Sequence, residues 1–185
     1  MTDDISFRRF SHADLPLMHG WLNQSHVARW FDVDGVFYPS YERVAEKYGR
    51  YAGGEARVDP YVIVYDGTPI GYIQTYLVDD YPDYARAVGV GPGAAGVDML
   101  VGERGYAYRG LGSRALRLFL ERIVFARAEA ERCIIGPDPG NAAAVRAYEK
   151  AGFGYLRTAD IPGGHPPREH VMMIERAALK TGTVA

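Results

Sequence analysis

Residues 109–113 read Arg109-Gly110-Leu111-Gly112-Ser113 and lie between two patterned segments. The preceding segment, 97–101, is an apolar run that predicts a β-strand, and the following one carries apolar residues at helical spacing. Glycines between a strand and a helix let the backbone approach an anion, and the first-turn N–H groups of the helix then point at it. We therefore predict a phosphate-binding turn, with a tight connection that binds nothing as the alternative.

The chain before this turn is predicted to form two helices and a hairpin. Ser11 is a candidate N-cap for the first helix, and Ser40 begins a second helix that ends at Gly53. Two β-rich runs, 61–65 and 70–78, flank an Asp-Gly dipeptide, which is typical of an antiparallel hairpin.

The remaining segments complete an α/β pattern. Residues 79–96 are rich in glycine and proline and are predicted as a loop. The other predicted elements are strands at 5–10, 133–135, 153–156 and 170–174 and a helix from Asn141 to about Ala151. We expect residues 1–185 to form a single domain of the α+β type, with a mixed, mostly antiparallel central sheet flanked by helices.

Composition narrows the class of protein. The 185 residues are 48% apolar, and a net charge of −2 lacks the basic excess of a nucleic-acid binder. The lone cysteine, Cys133, cannot form an internal disulfide, and the five histidines show no metal-ligand spacing. We expect a cytoplasmic protein without a metal, a membrane segment or a nucleic-acid partner.

Two motifs resemble those of the GNAT superfamily of acyl-CoA-dependent N-acetyltransferases. Tyr106-Ala107-Tyr108-Arg109-Gly110-Leu111-Gly112-Ser113 is similar to its loop R/Q-x-x-G-x-G/A, although Ala107 stands where Arg or Gln is usual. The segment that begins at Asn141 and ends at Phe153 follows the pattern N-x-x-A-x-x-x-Y-x-K-x-G-F.

The resemblance implies the GNAT fold and acetyl-CoA as co-substrate. It implies that Asn141 contacts the pantetheine arm and that the Tyr148 hydroxyl lies near the thioester sulfur. The residues expected to bind CoA are Met99, Leu100, Val101, Arg109, Gly110, Leu111, Gly112, Ser113 and Asn141.

A narrower resemblance, to the aminoglycoside 6'-N-acetyltransferases, covers residues 21–27, 69–76, 92–98 and 148–153. It implies that Asp98 lies near the acceptor amine and that Asp83 holds the antibiotic. A further substrate Asp of these enzymes falls at Gly136, and Asp138 stands two residues later instead.

The chemistry of acyl transfer assigns roles to two of these side chains. Asp98 interrupts an apolar strand, where burying an unpaired carboxylate is costly, and as a base it would take a proton from the acceptor ammonium. Tyr148 would protonate the leaving thiolate, and the N–H of Met99 or Leu100 would bind the developing oxyanion. The alternatives are a salt bridge for Asp98 and simple ring packing for Tyr148.

Local charge points to a cationic acceptor. Between Tyr76 and Glu103 there are five acids, Asp79, Asp80, Asp83, Asp98 and Glu103, against the single base Arg86, a local charge of −4. Such a region attracts polycations, although a solvated loop is the alternative. The candidate acceptor-binding residues are Tyr76, Asp83, Asp98, Asp138, His26 and Trp30; for His26 and Trp30, packing or capping is the alternative.

The combined prediction is an acetyltransferase for a primary amine of a small cationic acceptor, with the 6'-amine of an aminoglycoside as the leading candidate. Other acceptors remain open: a siderophore lysine, a polyamine or a protein lysine. A non-catalytic module that binds CoA or an antibiotic also remains, supported by Ala107. We expect a monomer or a homodimer.

Overall fold

A computed structural model describes residues 4–181, with side chains through Leu179. The strands are β1 (Ile5–Arg9), β2 (Asp59–Tyr65), β3 (Thr68–Leu77), β4 (Ala94–Val101), β5 (Arg132–Ile135), β6 (Gly154–Asp160) and β7 (Arg168–Glu175). The helices are α1 (Leu15–Leu22), α2 (Ser25–Ala28), α3 (Tyr41–Ala52), α4 (Pro82–Val88), α5 (Leu111–Phe119), α6 (Ala142–Ala151) and α7 (Arg176–Thr181). None of the helices in this described part of the chain is long and apolar enough to cross a membrane.

The strands form one seven-stranded mixed sheet in the order β1-β2-β3-β4-β5-β7-β6. β1 pairs antiparallel with β2, and β7 pairs antiparallel with both β5 and β6. β4 pairs parallel with β5, over the three registers that run from Ala94↔Arg132 to Gly96↔Ile134. This arrangement confirms the predicted mixed sheet with flanking helices.

The Asp-Gly dipeptide turns the chain between β2 and β3, as predicted. Asp66 and Gly67 both have positive φ, 45° and 79°. Two consecutive left-handed residues are typical of the tight turn whose twist matches that of a hairpin.

Side-chain caps begin the helices at the predicted places, with one difference. Ser40 Oγ accepts from the Arg43 N–H at 3.4 Å at the start of α3. Ser11 instead forms a capping box with Asp14 around the short 3₁₀ turn His12–Asp14, and α1 begins only after that turn. The predicted first helix is therefore correct in place but begins later.

The prediction of a loop over 79–96 is wrong. A 3₁₀ turn, Val78–Asp80, leads into α4, and the strand β4 already begins at Ala94. Pro82 fits the first position of α4, where its missing N–H costs nothing, and Gly89 ends the helix in the left-handed conformation with φ 61°. Proline and glycine mark the two ends of a short helix here and not an irregular segment.

The described residues fall into two compact units. One comprises the chain through Gln74 together with Met99–Gly112, and the other comprises Thr75–Asp98 and the chain from Ser113 onward. The first unit has an aromatic core that includes Trp21, Tyr48 and Tyr72. The second has an aliphatic core, with its buried members Val78, Val88, Val90, Ala94, Ile134, Ala159, Ile161 and Val171. That 1–185 forms a single domain stays a prediction.

Candidate active site

β4 carries a half-buried acid on an otherwise apolar strand. Asp98 stands between Val97 and Met99, which are 1% and 7% exposed. Alternation along a strand places Asp98 on the same face as Gly96. The ring of Tyr76 lies over Gly96, since an added Cβ there would be 2.3 Å from Tyr76 Cζ. Glycine at 96 thus leaves room for the Tyr76 phenol against the strand, next to the carboxylate.

Four side chains of the second unit form what we call the carboxylate cluster: Asp98, Glu169, Tyr76 and Tyr84. The Tyr84 hydroxyl donates a hydrogen bond to Glu169 Oε2 at 3.0 Å. The rings of Tyr76 and Tyr84 lie 6.4 Å apart. The charge of Asp98 acts on all three other members. Strands β3, β4 and β7 and helix α4 each contribute one residue to the cluster.

Burial and nearby negative charge raise the pKa of three members of the cluster, Glu169, Tyr76 and Tyr84. Desolvation raises the pKa of Glu169 to about 7, the Asp98 charge raises it as well, and the Tyr84 hydrogen bond opposes both. Burial likewise raises the pKa of the Tyr76 and Tyr84 phenols, with the nearby acids adding to it. Both phenols therefore remain hydrogen-bond donors at neutral pH.

A further phenol lies within reach of the Asp98 charge. Tyr148 projects from α6, and its ring centroid lies 6.5 Å from that of Phe153. Burial, and then the Asp98 charge, raise the pKa of the Tyr148 hydroxyl above its ordinary value of 10. The hydroxyl is protonated at neutral pH and has a proton to donate.

Asn141 begins α6. Its Oδ1 accepts from the Ala144 N–H at 3.1 Å, which satisfies one of the N–H groups left open at a helix start. This cap uses the oxygen of the amide side chain, so the sequence prediction of a contact to CoA concerns its Nδ2 group.

The glycine turn has the backbone form of an anion-binding loop. Tyr108 and Gly110 have positive φ, 61° and 78°, and α5 begins directly afterwards at Leu111. An added Cβ at Gly110 would meet nothing within 4 Å, so backbone is accessible there. Arg109 is exposed, and its Nη1 donates to the Gly105 carbonyl at 3.1 Å. An exposed glycine, a helix start and a nearby guanidinium fit the phosphates of a nucleotide.

Residues 11–161 match the family described as Acetyltransferase (GNAT) domain. The chain belongs to the GNAT acetyltransferase family. It is 31% identical over 183 residues to the aminoglycoside N(6')-acetyltransferase type 1 of Klebsiella pneumoniae, a match that covers 99% of this chain and 89% of that protein.

Solved structures agree with this assignment. The structure of AAC(6')-Ib in complex with ribostamycin and coenzyme A superposes with a TM-score of 0.83 at 30% identity, covering 99% of this chain and 100% of that one. The complex of the same enzyme with coenzyme A and kanamycin gives a TM-score of 0.80 at 29% identity, covering 97% and 99%. The predicted GNAT fold is confirmed.

In this GNAT domain the two predicted substrate acids other than Asp98 make local contacts. Asp83 lies on α4 with its side chain 92% exposed and pairs with Arg86. Asp138 Oδ1 accepts from the Gly140 N–H at 2.7 Å, which shapes the turn before α6. Their roles in acceptor binding stay predictions.

His26 and Trp30, two further candidates for acceptor binding, lie in the first unit of the GNAT domain. His26 on α2 donates from Nε2 to the carbonyl of Val101 at 3.0 Å, at the end of β4. Its Nδ1 is buried without a hydrogen-bond partner among the described residues. Trp30 is half-buried, with the Arg29 guanidinium 5.0 Å from its ring centroid. Both side chains therefore make structural contacts within the protein, and their roles in acceptor binding stay predictions.

The acidic stretch is less uniform than its composition indicates. Asp79 Oδ2 accepts from the Gly93 N–H at 2.9 Å, and Glu103 Oε1 accepts from Trp21 Nε1 at 2.8 Å. These two acids hold the backbone and a core ring in place.

Sequence reasoning missed Glu169 as a member of the carboxylate cluster. It lies outside the acidic stretch, and the predicted strand began one residue after it. Strand alternation puts Glu169 on the same face as Val171 and Met173, both part of the aliphatic core. An acid on an apolar strand face is the signal that could have found it.

Proposed function

We propose that the protein is an acetyl-CoA-dependent N-acetyltransferase that acetylates a primary amine of a small cationic acceptor, the 6'-amine of an aminoglycoside. One observation carries the proposal. A half-buried carboxylate, Asp98, stands on an apolar strand beside phenols in a GNAT chain. The relatives matched over nearly their full length are aminoglycoside 6'-N-acetyltransferases, which supports the choice of acceptor.

Acetyl-CoA would supply the acetyl group and leave as a thiol. The turn Arg109–Ser113 and the start of α5 would bind its phosphates, and Asn141 Nδ2 would donate to the pantetheine arm. The pairing of β4 with β5 ends at Gly96, so the edge of β4 that faces β5 is the candidate, over Met99–Val101, for main-chain hydrogen bonds to the same arm.

Asp98 would act first as an ion partner and then as a base. An acceptor amine is an ammonium at neutral pH, and its nitrogen is nucleophilic only after losing a proton. Asp98 attracts the cation and accepts that proton, directly or through water. The N–H of Met99 or Leu100 then stabilises negative charge on the thioester oxygen as the C–N bond forms and the C–S bond breaks.

Tyr148 would complete the reaction. Its raised pKa keeps the hydroxyl protonated until charge develops on the departing sulfur. It then donates its proton to the thiolate, and the second proton that the nitrogen loses on becoming an amide restores the hydroxyl, directly or through water. Asp98 releases the first proton to solvent. Net charge balance leaves one proton in solution for each amine that is acetylated.

The test is thiol release from acetyl-CoA by the purified protein with kanamycin as acceptor. We expect turnover with the wild type and a loss of at least about 100-fold with Asp98→Asn, since removing a general base costs about 10² to 10⁴. CoA binding by calorimetry should be unchanged in that variant. Glu149→Gln, which removes an exposed carboxylate on α6, is the matched control.

Three outcomes would contradict parts of the proposal. Absence of thiol release with kanamycin, alongside normal CoA binding, would favour a non-catalytic module. Turnover with spermidine or a lysine hydroxamate in place of kanamycin would change the acceptor. Full activity in Asp98→Asn would remove Asp98 from the mechanism.

A further inference from the structure

Glu169 occupies space that the chain leaves open at Gly136. A Cβ added at Gly136 would lie 2.0 Å from Glu169 Oε2 and 2.6 Å from its Cδ. Gly136 follows β5 directly and begins the loop that leads to α6. Any larger residue at 136 would displace the carboxylate. This glycine therefore allows the Glu169 side chain of β7 to pack against the start of the loop after β5.

The described neighbours of Glu169 include an alanine, a phenol and a second acid. Ala159 pairs with it on β6, Tyr84 faces it from α4, and Asp98 acts on it from β4. The influences that shift its ionisation, within the described chain, are burial, the Asp98 charge and the Tyr84 hydroxyl, and no basic side chain is among them. A partly desolvated carboxylate next to a second acid is unfavourable when it is ionised. A bound cation stabilises the ionised form.

We propose that Glu169 is the carboxylate that selects polycationic acceptors, binding an ammonium group other than the one that Asp98 deprotonates. This rests on the proposed function above. The Tyr84 hydroxyl orients the carboxylate, and the rings of Tyr76 and Tyr84 provide the flat surface beside it. An acceptor with two or more ammonium groups then bridges the two acids.

Binding would change the ionisation of Glu169. Its pKa of about 7 leaves it partly protonated at pH 7 in the free protein, where it is faced by Asp98 from β4, Tyr76 from β3 and Tyr84 from α4. An ammonium at hydrogen-bond distance favours the carboxylate and expels the proton. Acceptor binding should therefore release more protons than it would without Glu169.

The kinetic test compares wild type, Glu169→Gln and a control, Glu175→Gln, which removes an exposed acid at the end of the same strand. Glutamine keeps the shape and the acceptor atom for Tyr84. We expect Glu169→Gln to raise the KM for kanamycin at least about tenfold, as expected for losing one partner of a desolvated ion pair. We also expect kcat within about threefold and the KM for acetyl-CoA within about twofold. Glu175→Gln should match wild type.

A merely structural Glu169 would raise both KM values together, and that result overturns the proposal. So does an unchanged KM for kanamycin in Glu169→Gln. Calorimetric titration of kanamycin at pH 7, in two buffers of different ionisation enthalpy, adds a second readout. We expect wild type to release more protons on binding than Glu169→Gln, and equal release overturns the proposal.

These results also separate the two proposals. If the wild type acetylates kanamycin and Glu169→Gln has the same KM for kanamycin, the role of Glu169 is refuted and the proposed function stands. Wild type that neither binds nor acetylates kanamycin refutes the aminoglycoside acceptor, and the role of Glu169 falls with it.

Discussion

Replacing Glu169 by glutamine should change how the stability of the free protein depends on pH. The pKa of Glu169 is about 7 in the folded chain, against an ordinary value of 4.5. Between these two pH values the folded state holds a proton that the unfolded chain has released. The contribution of Glu169 to the free energy of unfolding therefore falls as pH rises from about 4.5 to about 7 and is level above that range.

The magnitude follows from the size of that gap. Each pH unit of difference corresponds to about 1.4 kcal/mol, so the full gap corresponds to about 3 kcal/mol. Glu169 is half-buried and keeps part of its hydration, which reduces the expected loss to about 2 kcal/mol. Glutamine does not titrate, so this loss is absent from Glu169→Gln.

Urea denaturation at pH 4.5, 6 and 8 without ligand measures the difference directly. The free energy of unfolding of Glu169→Gln, minus that of wild type, should increase by about 2 kcal/mol from the lowest to the highest pH. Glu175→Gln, which removes an exposed acid at the end of the same strand, is the control. If the difference in unfolding free energy between Glu169→Gln and wild type is constant within about 0.5 kcal/mol over this pH range, burial does not raise the pKa of Glu169.

Two further variants test the residues of α6. Tyr148→Phe keeps the ring packed on Phe153 but removes the acidic proton, so turnover should fall at least about tenfold with the KM for acetyl-CoA within about twofold; unchanged turnover in thiol-release assays would mean that water protonates the thiolate. Asn141→Ala should lose about 1 kcal/mol of stability with the cap to Ala144 and also weaken CoA binding, whereas Asn141→Asp keeps a capping oxygen and should weaken CoA binding alone. Thermal melts and CoA titrations of both variants check this, and equal CoA affinity in wild type and Asn141→Asp would exclude the amide from the CoA site.

Much of the framework was readable from short segments of sequence. The Asp66-Gly67 turn, the strand around Asp98 and the helices begun by Ser40 and Asn141 were all predicted. Each depends on residues close together in the chain, whose backbone preferences and hydrogen bonds act locally. Ser11 was correct as a cap, but the 3₁₀ turn that it begins was not foreseen.

The errors arose where composition gave an ambiguous signal. Proline and glycine between residues 79 and 96 favoured a loop, yet Pro82 and Gly89 mark the two ends of α4. That helix presents Tyr84 to Glu169. The acidic stretch was likewise read by counting charges, which does not show that Asp79 accepts from the backbone of Gly93.

The sequence by itself determined the family, the glycine turn and the roles expected of Asp98 and Tyr148, because contiguous motifs carry them. Only the tertiary structure brought Glu169 beside Asp98 and Gly136, since strand pairing joins segments that are distant in the chain. The burial of Glu169 depends on those distant neighbours, so the residues next to it in the sequence do not reveal it. The unusual ionisation of Glu169, and with it the proposed selection of polycationic acceptors, therefore depends on the packing of the sheet.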